Sequence, residues 1–311
     1  MKRFDFDALA DRVRNWGRWG PLDNRGTLNH IGPDVLQRAI AAARQGKLFS
    51  LGMRFEKAGP QPEHARMNPQ LYMNALDKII NSEFPTSRYS EDVVHMSLQC
   101  ATQWDALSHV HYDGLLYNGC KACDVLSAAG ASRLGVEHLA APGVMSRGVL
   151  VDIARLHGVD MLPATHVITP DELNRALERQ GTALDAGDIL LVRTGIIRHY
   201  TINNDRAAYF AGNPGLAPEC AGWLYDHSLA AVCSDNLAVE VLDETTLAGD
   251  VPLPMHMLCL RDMGMPLGEM FDLETLSADC AQDGQYTFLL SAPPLGFTGA
   301  VGSPVNPQVL K

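Results

Sequence analysis

The side chains best suited to chemistry lie in one stretch, residues 97–109. Here Gln99, Gln103 and Asp105 share one parity, and mainly apolar residues occupy the other. This alternation predicts a β-strand with one packed face and one polar face. Three carbonyl or carboxylate groups would leave the strand together, with His109 four residues beyond Asp105. Ligand-type oxygens beside a proton-transfer group indicate an active site, although a solvated strand face gives the same pattern.

The elements around this stretch alternate between strands and helices. Apolar runs bounded by glycine or turn residues indicate strands at 148–153, 187–195, 229–233 and 286–291, with a short element at 266–270. Periodic apolar stripes and capping signals indicate helices at 4–14, 33–46, 169–181, 218–227 and from residue 253 onward. This order predicts an α/β fold. No linker or repeat divides the chain, so we expect one domain over residues 1–311, with residues 1–50 as an N-terminal helical extension.

Composition excludes several classes of partner. The 311 residues are 46% hydrophobic and 20% charged, as in a soluble protein with a sizeable core. A net charge of −11 argues against nucleic acid and against an anionic membrane surface. The chain lacks an apolar run of about 18 residues, a secretion-type start, a Gly-x-Ser-x-Gly elbow and a Walker loop. Seven scattered cysteines predict reduced thiols and a cytoplasmic location, and the lone Cys120-Lys-Ala-Cys123 is read as incidental.

Several ordered blocks resemble the metal-dependent cyclase superfamily, which includes bacterial kynurenine formamidase and isatin hydrolase. The family signature His-x-Gly-Thr-His-x-Asp-x-Pro-x-His is matched by Gln99-Cys-Ala-Thr-Gln-Trp-Asp-Ala-Leu-Ser-His109. Further matching blocks are 148–152, 187–195, 213–216, 234–236, 254–256, 265–269 and 302–307. The chain is most similar to the longer branch, which reads Thr-Gln-Trp-Asp at the signature. The resemblance implies a swivelling β/β/α fold, in which helices flank a barrel-like mixed sheet.

The departures from the signature determine which metal the resemblance implies. Both signature histidines are glutamines here, Gln99 and Gln103, whereas Asp105 and His109 are kept. The metal ligands implied by family position are Gln103, Asp105, His256 and Glu269. Oxygen ligands with one imidazole suit Mn²⁺ or Mg²⁺ better than Zn²⁺, so we expect a divalent metal, with manganese favoured.

The resemblance implies a metal-dependent hydrolase that opens a small cyclic amide, lactone or formamide. His109 would shuttle the proton, and Glu269 would act as the base if it does not bind the metal. Two alternatives stay open. The same site could support ring closure or dehydration in a lyase or cyclase, or the two glutamines could mark a metal-free relative that only binds a ligand. The family also implies a homodimer or homotetramer acting on a small molecule.

Four further residues are candidate substrate contacts. They are Gln99, Trp104, His111 and Trp19. Aromatic side chains can wall a pocket, but each tryptophan could equally be core, and His111 could simply pack. His256 precedes an apolar run, so a buried structural histidine competes with its role as a ligand. The proline-rich residues 58–70 are expected to form a surface segment that could also act as a lid.

Overall fold

The computed structural model describes residues 3–62, 66–242, 247 and 249–311. In these ranges the strands form one mixed sheet of nine strands and three separate two-stranded sheets. They are β1 (Leu48–Ser50), β2 (Gln70–Ile79), β3 (Arg88–His95), β4 (Gln103–Asp105), β5 (Leu126–Ser127), β6 (Gly130–Ala131), β7 (Met145–Asp152), β8 (Val167–Ile168), β9 (Ile189–Arg193), β10 (Gly215–Leu216), β11 (Ala231–Ser234), β12 (Leu267–Glu269), β13 (Thr287–Ser291), β14 (Gly302–Pro304) and β15 (Gln308–Leu310).

Within the described ranges, nine strands form a curled half-barrel sheet in the order β1-β15-β13-β7-β9-β11-β12-β4-β14. Neighbours from β7 to β12 run parallel, whereas the strands on both sides of that block are antiparallel. The parallel strands are nearly continuous in apolar residues because both of their faces are buried. Leu190 and Val192 pack towards one core cluster, and Ile189 and Leu191 towards the other. The predicted α/β class is confirmed.

Helices cover both faces of this sheet. They are α1 (Arg3–Val13), α2 (Pro33–Ala42), α3 (Ala122–Val125), α4 (Glu137–Ala140), α5 (Ile153–Leu156), α6 (Pro170–Gln180), α7 (Arg198–Thr201), α8 (Arg206–Phe210), α9 (Cys220–Asp226), α10 (Pro254–His256) and α11 (Glu274–Asp283). A π-helical segment, Met257–Met263, continues α10. Among the described residues we find no helix whose length and apolar character would let it span a bilayer.

Two sequence predictions about strands need correction. The strand expected over 97–109 is only the three residues of β4, because turns flank it: Cys100 N–H donates to Ser97 O, and His109 N–H to Ala106 O. No strand was predicted in the C-terminal segment after residue 291. This segment supplies β14, which pairs with β4, and β15, which pairs with β1 and β13.

Two further segments lie outside the nine-stranded sheet. β2 and β3 form an antiparallel hairpin between Gln70 and His95. The predicted surface segment 58–70 leads into it, although residues 63–65 lie outside the described part. At the N-terminus, Asn15 and Trp16 donate side-chain hydrogen bonds to the carbonyls of Met263 and Arg261, so this segment is fastened to the π-helical turn.

Candidate active site

Strand pairing brings the first three site side chains together. β4 lies antiparallel to β12, with Gln103 opposite Glu269 and Asp105 opposite Leu267. Because side chains alternate along a strand, Gln103, Asp105 and Glu269 leave the same face of the sheet. Trp104 points to the other face, where it packs edge-on against Phe271. All three polar side chains are buried.

His256 completes the cluster from the end of α10. Its Nε2 lies 3.1 Å from Glu269 Oε1 and 3.6 Å from Asp105 Oδ2. The three ligand-type atoms of Asp105, His256 and Glu269 all lie within 4.8 Å of one another. Gln103 Nε2 donates to Glu269 Oε2 at 2.6 Å and lies 3.4 Å from Asp105 Oδ1. The amide nitrogen of Gln103, and not its oxygen, therefore faces the carboxylates.

A third acidic residue, Glu240, contacts the far side of the His256 ring and orients it. Its Oε1 lies 2.5 Å from His256 Nδ1 and accepts the His256 backbone N–H at 3.0 Å. Its Oε2 accepts the Met255 N–H at 3.0 Å. A carboxylate on Nδ1 fixes the ring orientation and leaves Nε2 directed at Asp105 and Glu269. The π-helical turn begins directly after this histidine, and such bulges are frequent at functional sites.

The cluster carries more negative than positive charge. Burial disfavours ionisation of Asp105, but His109 and His256 lower its pKa below the usual value. Burial and the charge of Asp105 raise the pKa of Glu269 to about 7. Burial also opposes a charged His256, yet the carboxylates of Asp105, Glu240 and Glu269 around its ring raise its pKa well above the ordinary value. Three buried carboxylates surround one imidazole, and a bound cation would compensate their excess negative charge.

His109 and Arg66 stand at the edge of the cluster. His109 Nε2 lies 3.8 Å from Asp105 Oδ1, and its side chain is 19% exposed, so this ring lies between the buried carboxylate and solvent. Asp105 favours a charged His109, whereas burial and the charges of His256 and Arg66 oppose it, and the net effect lowers its pKa. Arg66 donates to Gln99 O at 2.9 Å and lies near enough to lower the pKa of Glu269.

The four predicted substrate contacts have different surroundings. Gln99 is half-buried beside Gly302, the partner of Asp105 on β14. His111 is half-buried, and its Nδ1 is buried without a hydrogen-bond partner in the described structure. Trp104 is fully buried on the opposite face of β4, and Trp19 packs edge-on against His30. Trp104 is therefore a core residue that faces away from the cluster, whereas Trp19 belongs to the N-terminal segment.

Two residues of the site were not found from the sequence. Glu240 lies in the run Ala238-Val-Glu-Val241, which has no local feature of a ligand-orienting residue. Its partner is 16 positions away, so only the fold brings the two together. Arg66 lies in the segment that was expected to form a surface lid. A single arginine in a proline-rich stretch is ordinary, and its proximity to the carboxylates could not be foreseen.

The donor set fits a divalent cation. Asp105 Oδ2, which faces the cluster, is buried without a hydrogen-bond partner in the described structure, which is costly unless something satisfies it. Ligand atoms around one ion at bond lengths near 2.1 Å lie about 3.0–3.4 Å apart, close to the spacings of His256 Nε2. Asp105, His256 and Glu269 could hold such an ion. Gln103, predicted as a ligand, is placed to orient Glu269.

Comparisons with known proteins agree with this fold. A family model described as "Putative cyclase" matches residues 38–241. The crystal structure of a novel cyclase is 38% identical, with a TM-score of 0.86 over 96% of this chain and 100% of that one. Isatin hydrolase A from Labrenzia aggregata is 16% identical, with a TM-score of 0.62 over 88% and 98% of the two chains. Isatin hydrolase A from Ralstonia solanacearum is 17% identical, with a TM-score of 0.61 over 89% and 97%. No curated protein matches the chain. The resemblance seen in the sequence is confirmed: the chain belongs to the putative cyclase family.

Proposed function

We propose that the protein is a metal-dependent hydrolase of a small cyclic amide, lactone or formamide. The observation that carries the proposal is the convergence of Asp105, His256 and Glu269 within 4.8 Å, in a buried site where one oxygen of Asp105 has no hydrogen-bond partner. The fold is also that of the isatin hydrolases, proteins whose name describes such a reaction. Fold similarity alone does not determine chemistry, so the proposal depends on the site.

Asp105, His256 and Glu269 would hold a divalent ion, which polarises a carbonyl and lowers the pKa of water. Gln103 would keep Glu269 in place through its 2.6 Å hydrogen bond. Two carboxylates and one imidazole favour Mn²⁺ over Zn²⁺, because hard oxygen donors prefer the harder ion. Glu240 would hold His256 in the orientation that presents Nε2.

His109 would act as the proton shuttle. Its ring is beside Asp105 and partly exposed, so it can take a proton from the attacking water and deliver it to the departing nitrogen or oxygen. Arg66 and Gln99 lie at the same edge and would contact the substrate carbonyl or a neighbouring polar group. His111 is a further candidate contact.

The direct test is turnover of a panel containing isatin, an aryl lactone and an aryl formamide, with Mn²⁺, Mg²⁺ or Zn²⁺ added to chelated protein. We expect metal-dependent ring opening, in which the product of isatin or of the lactone is heavier by one water, or deformylation, in which the formamide and one water give the amine and formate. Asp105→Asn should abolish turnover, and His109→Gln should lower kcat about 10²-fold or more while metal binding is kept. Full activity in exhaustively chelated protein would refute the proposal.

The same experiment separates the two alternative functions. A lyase or cyclase would give a product that has not gained water. A metal-free relative would bind a small ligand without carrying an ion and without turnover. The buried, unpartnered Asp105 oxygen favours the metal-dependent reaction over this last possibility.

We also propose that the protein forms a homodimer or homotetramer through the β2–β3 hairpin. Apolar side chains are exposed along this arm: Leu71 is 65% exposed, Leu76 71% and Val93 50%. A two-stranded hairpin is marginal alone, and so large an apolar surface is typical of an interface. Symmetric contact between two copies of the arm would cover it.

Light scattering on the wild type and on Leu71→Glu/Leu76→Glu tests the association. We expect a dimer or tetramer that the double variant splits, whereas Lys78→Glu on the same arm should leave it assembled. A monomeric wild type would refute this part.

The seven cysteines are all unpaired in the structure, which supports the proposed cytoplasmic location.

A further inference from the structure

A second group of metal-ligating side chains lies outside the candidate active site. It consists of His157, directly after α5, His166, before β8, and Glu172, in the first turn of α6. One ligand atom from each lies within 4.8 Å of the other two. None of the three belongs to the cluster around Asp105.

Both imidazoles converge on one carboxylate oxygen. His157 Nε2 lies 2.6 Å and His166 Nε2 2.9 Å from Glu172 Oε1. The two rings stand edge to face, with centroids 4.9 Å apart. Four-coordinate zinc holds its ligands about 3.3 Å apart, so modest side-chain rotation would open this group around an ion.

The other oxygen of Glu172 has a separate role. Glu172 Oε2 accepts the Thr169 backbone N–H at 2.9 Å in the capping box that begins α6. The cap is therefore complete without Oε1, and it fixes the direction in which Oε1 points. Among the residues that the structure describes, no lysine or arginine forms an ion pair with Glu172, so only the two histidines face this oxygen.

The group is also open to an incoming ion. The side chain of Glu172 is 9% exposed, whereas those of His157 and His166 are 35% and 21% exposed. A buried, prealigned carboxylate below two accessible imidazoles leaves room for water as a fourth ligand. Two imidazoles and one carboxylate suit the borderline transition metals, Zn²⁺, Co²⁺ and Ni²⁺, better than Mg²⁺ or Ca²⁺.

We propose that His157, His166 and Glu172 form a second site, which binds a divalent transition metal of the zinc type. The ion would fasten the end of α5 and the approach to β8 to the start of α6. This site is independent of the proposed hydrolase site, since no residue is shared between them.

Zinc binding in an Asp105→Asn background tests the proposal, because that substitution removes a ligand of the central site. Equilibrium dialysis with elemental analysis should find one Zn²⁺ per chain. Adding His157→Gln and His166→Gln should weaken this binding at least 100-fold, and circular dichroism checks that the fold is kept. Glutamine can still donate to Glu172, so the helix cap is spared. His138→Gln, which alters a histidine outside this group, is the matched control.

Two further measurements keep the test decisive. Co²⁺ should give the intense visible absorption of a four-coordinate site, and the His157→Gln/His166→Gln protein should lose it. In the otherwise unaltered chain, the same pair of substitutions should remove one zinc equivalent. The proposal fails if the Asp105→Asn protein binds no zinc, or if the histidine substitutions change neither stoichiometry nor affinity.

Discussion

Replacing Glu240 with glutamine tests whether this residue orients His256. The Glu240 carboxylate receives three hydrogen bonds, one from the His256 ring and two from the backbone N–H groups of Met255 and His256. Glutamine keeps the shape, but it can present only one oxygen to these donors. At least one buried N–H would then face an amide NH₂ group, and the imidazole would lose its charged partner.

The size of the effect follows from the contact of Glu240 with His256, a ligand of the proposed metal site. Loss of such a partner weakens metal binding about 10–100-fold. At saturating Mn²⁺ this removes about 1.4–2.7 kcal/mol of metal-induced stabilisation. For a chain of 311 residues that corresponds to about 2–4 °C in the shift of Tm that Mn²⁺ produces.

Differential scanning fluorimetry with and without Mn²⁺, together with calorimetric titration, measures both quantities. Glu178→Gln, on the exposed face of α6, is the control and should leave the metal-induced shift unchanged. If Glu240→Gln binds Mn²⁺ as tightly as the wild type, Glu240 does not orient a metal ligand, and the role assigned to it is wrong.

Two further predictions concern stability. Gly268→Ala should destabilise the fold by about 1–3 kcal/mol in chemical denaturation, because a Cβ would lie 2.6 Å from Cys233 Sγ. Gly296→Ala, whose Cβ would lie 3.7 Å from Ala140 Cβ, should be tolerated, and equal losses in both would contradict this reasoning. Lys311→Met should lower Tm at pH 7, since Lys311 Nζ contacts Asp279 at 2.7 Å and Asp283 at 2.9 Å. Burial alone would raise the pKa of each carboxyl, but hydrogen bonds, including those from Lys311, lower both values. Their stabilisation is therefore complete above the ordinary pKa near 4 and is lost as the pH falls, so the Tm gap between wild type and variant should shrink towards pH 3. A gap that does not change with pH would refute the pairing.

Elements with complete local signals could be predicted from the sequence. α6 was expected over 169–181 and spans Pro170–Gln180, because the Thr169 capping box begins it and Gly181 ends it in a left-handed conformation. α2 shows the limit of such signals. Gly46 suggested the helix end, yet the helix stops at Ala42, where the chain turns towards the β1 edge strand.

Features set by tertiary pairing could not be predicted as well. Alternation placed Gln103 and Asp105 on one face and Trp104 on the other, as the structure has them. It overestimated the length of the strand, because the alternation of polar and apolar residue types continues into the turns on both sides of β4. The sequence also gave no reason to pair Glu240 with His256. Asp105, His256 and Glu269 were grouped only through the family resemblance, and the structure brings these three together.

The most direct test of the central site is the manganese content of the wild type and of Asp105→Asn, each dialysed against Mn²⁺ and analysed by elemental mass spectrometry. We predict that the number of tightly bound Mn²⁺ ions per chain is greater by one in the wild type than in the variant. Equal manganese content in two folded proteins would contradict it.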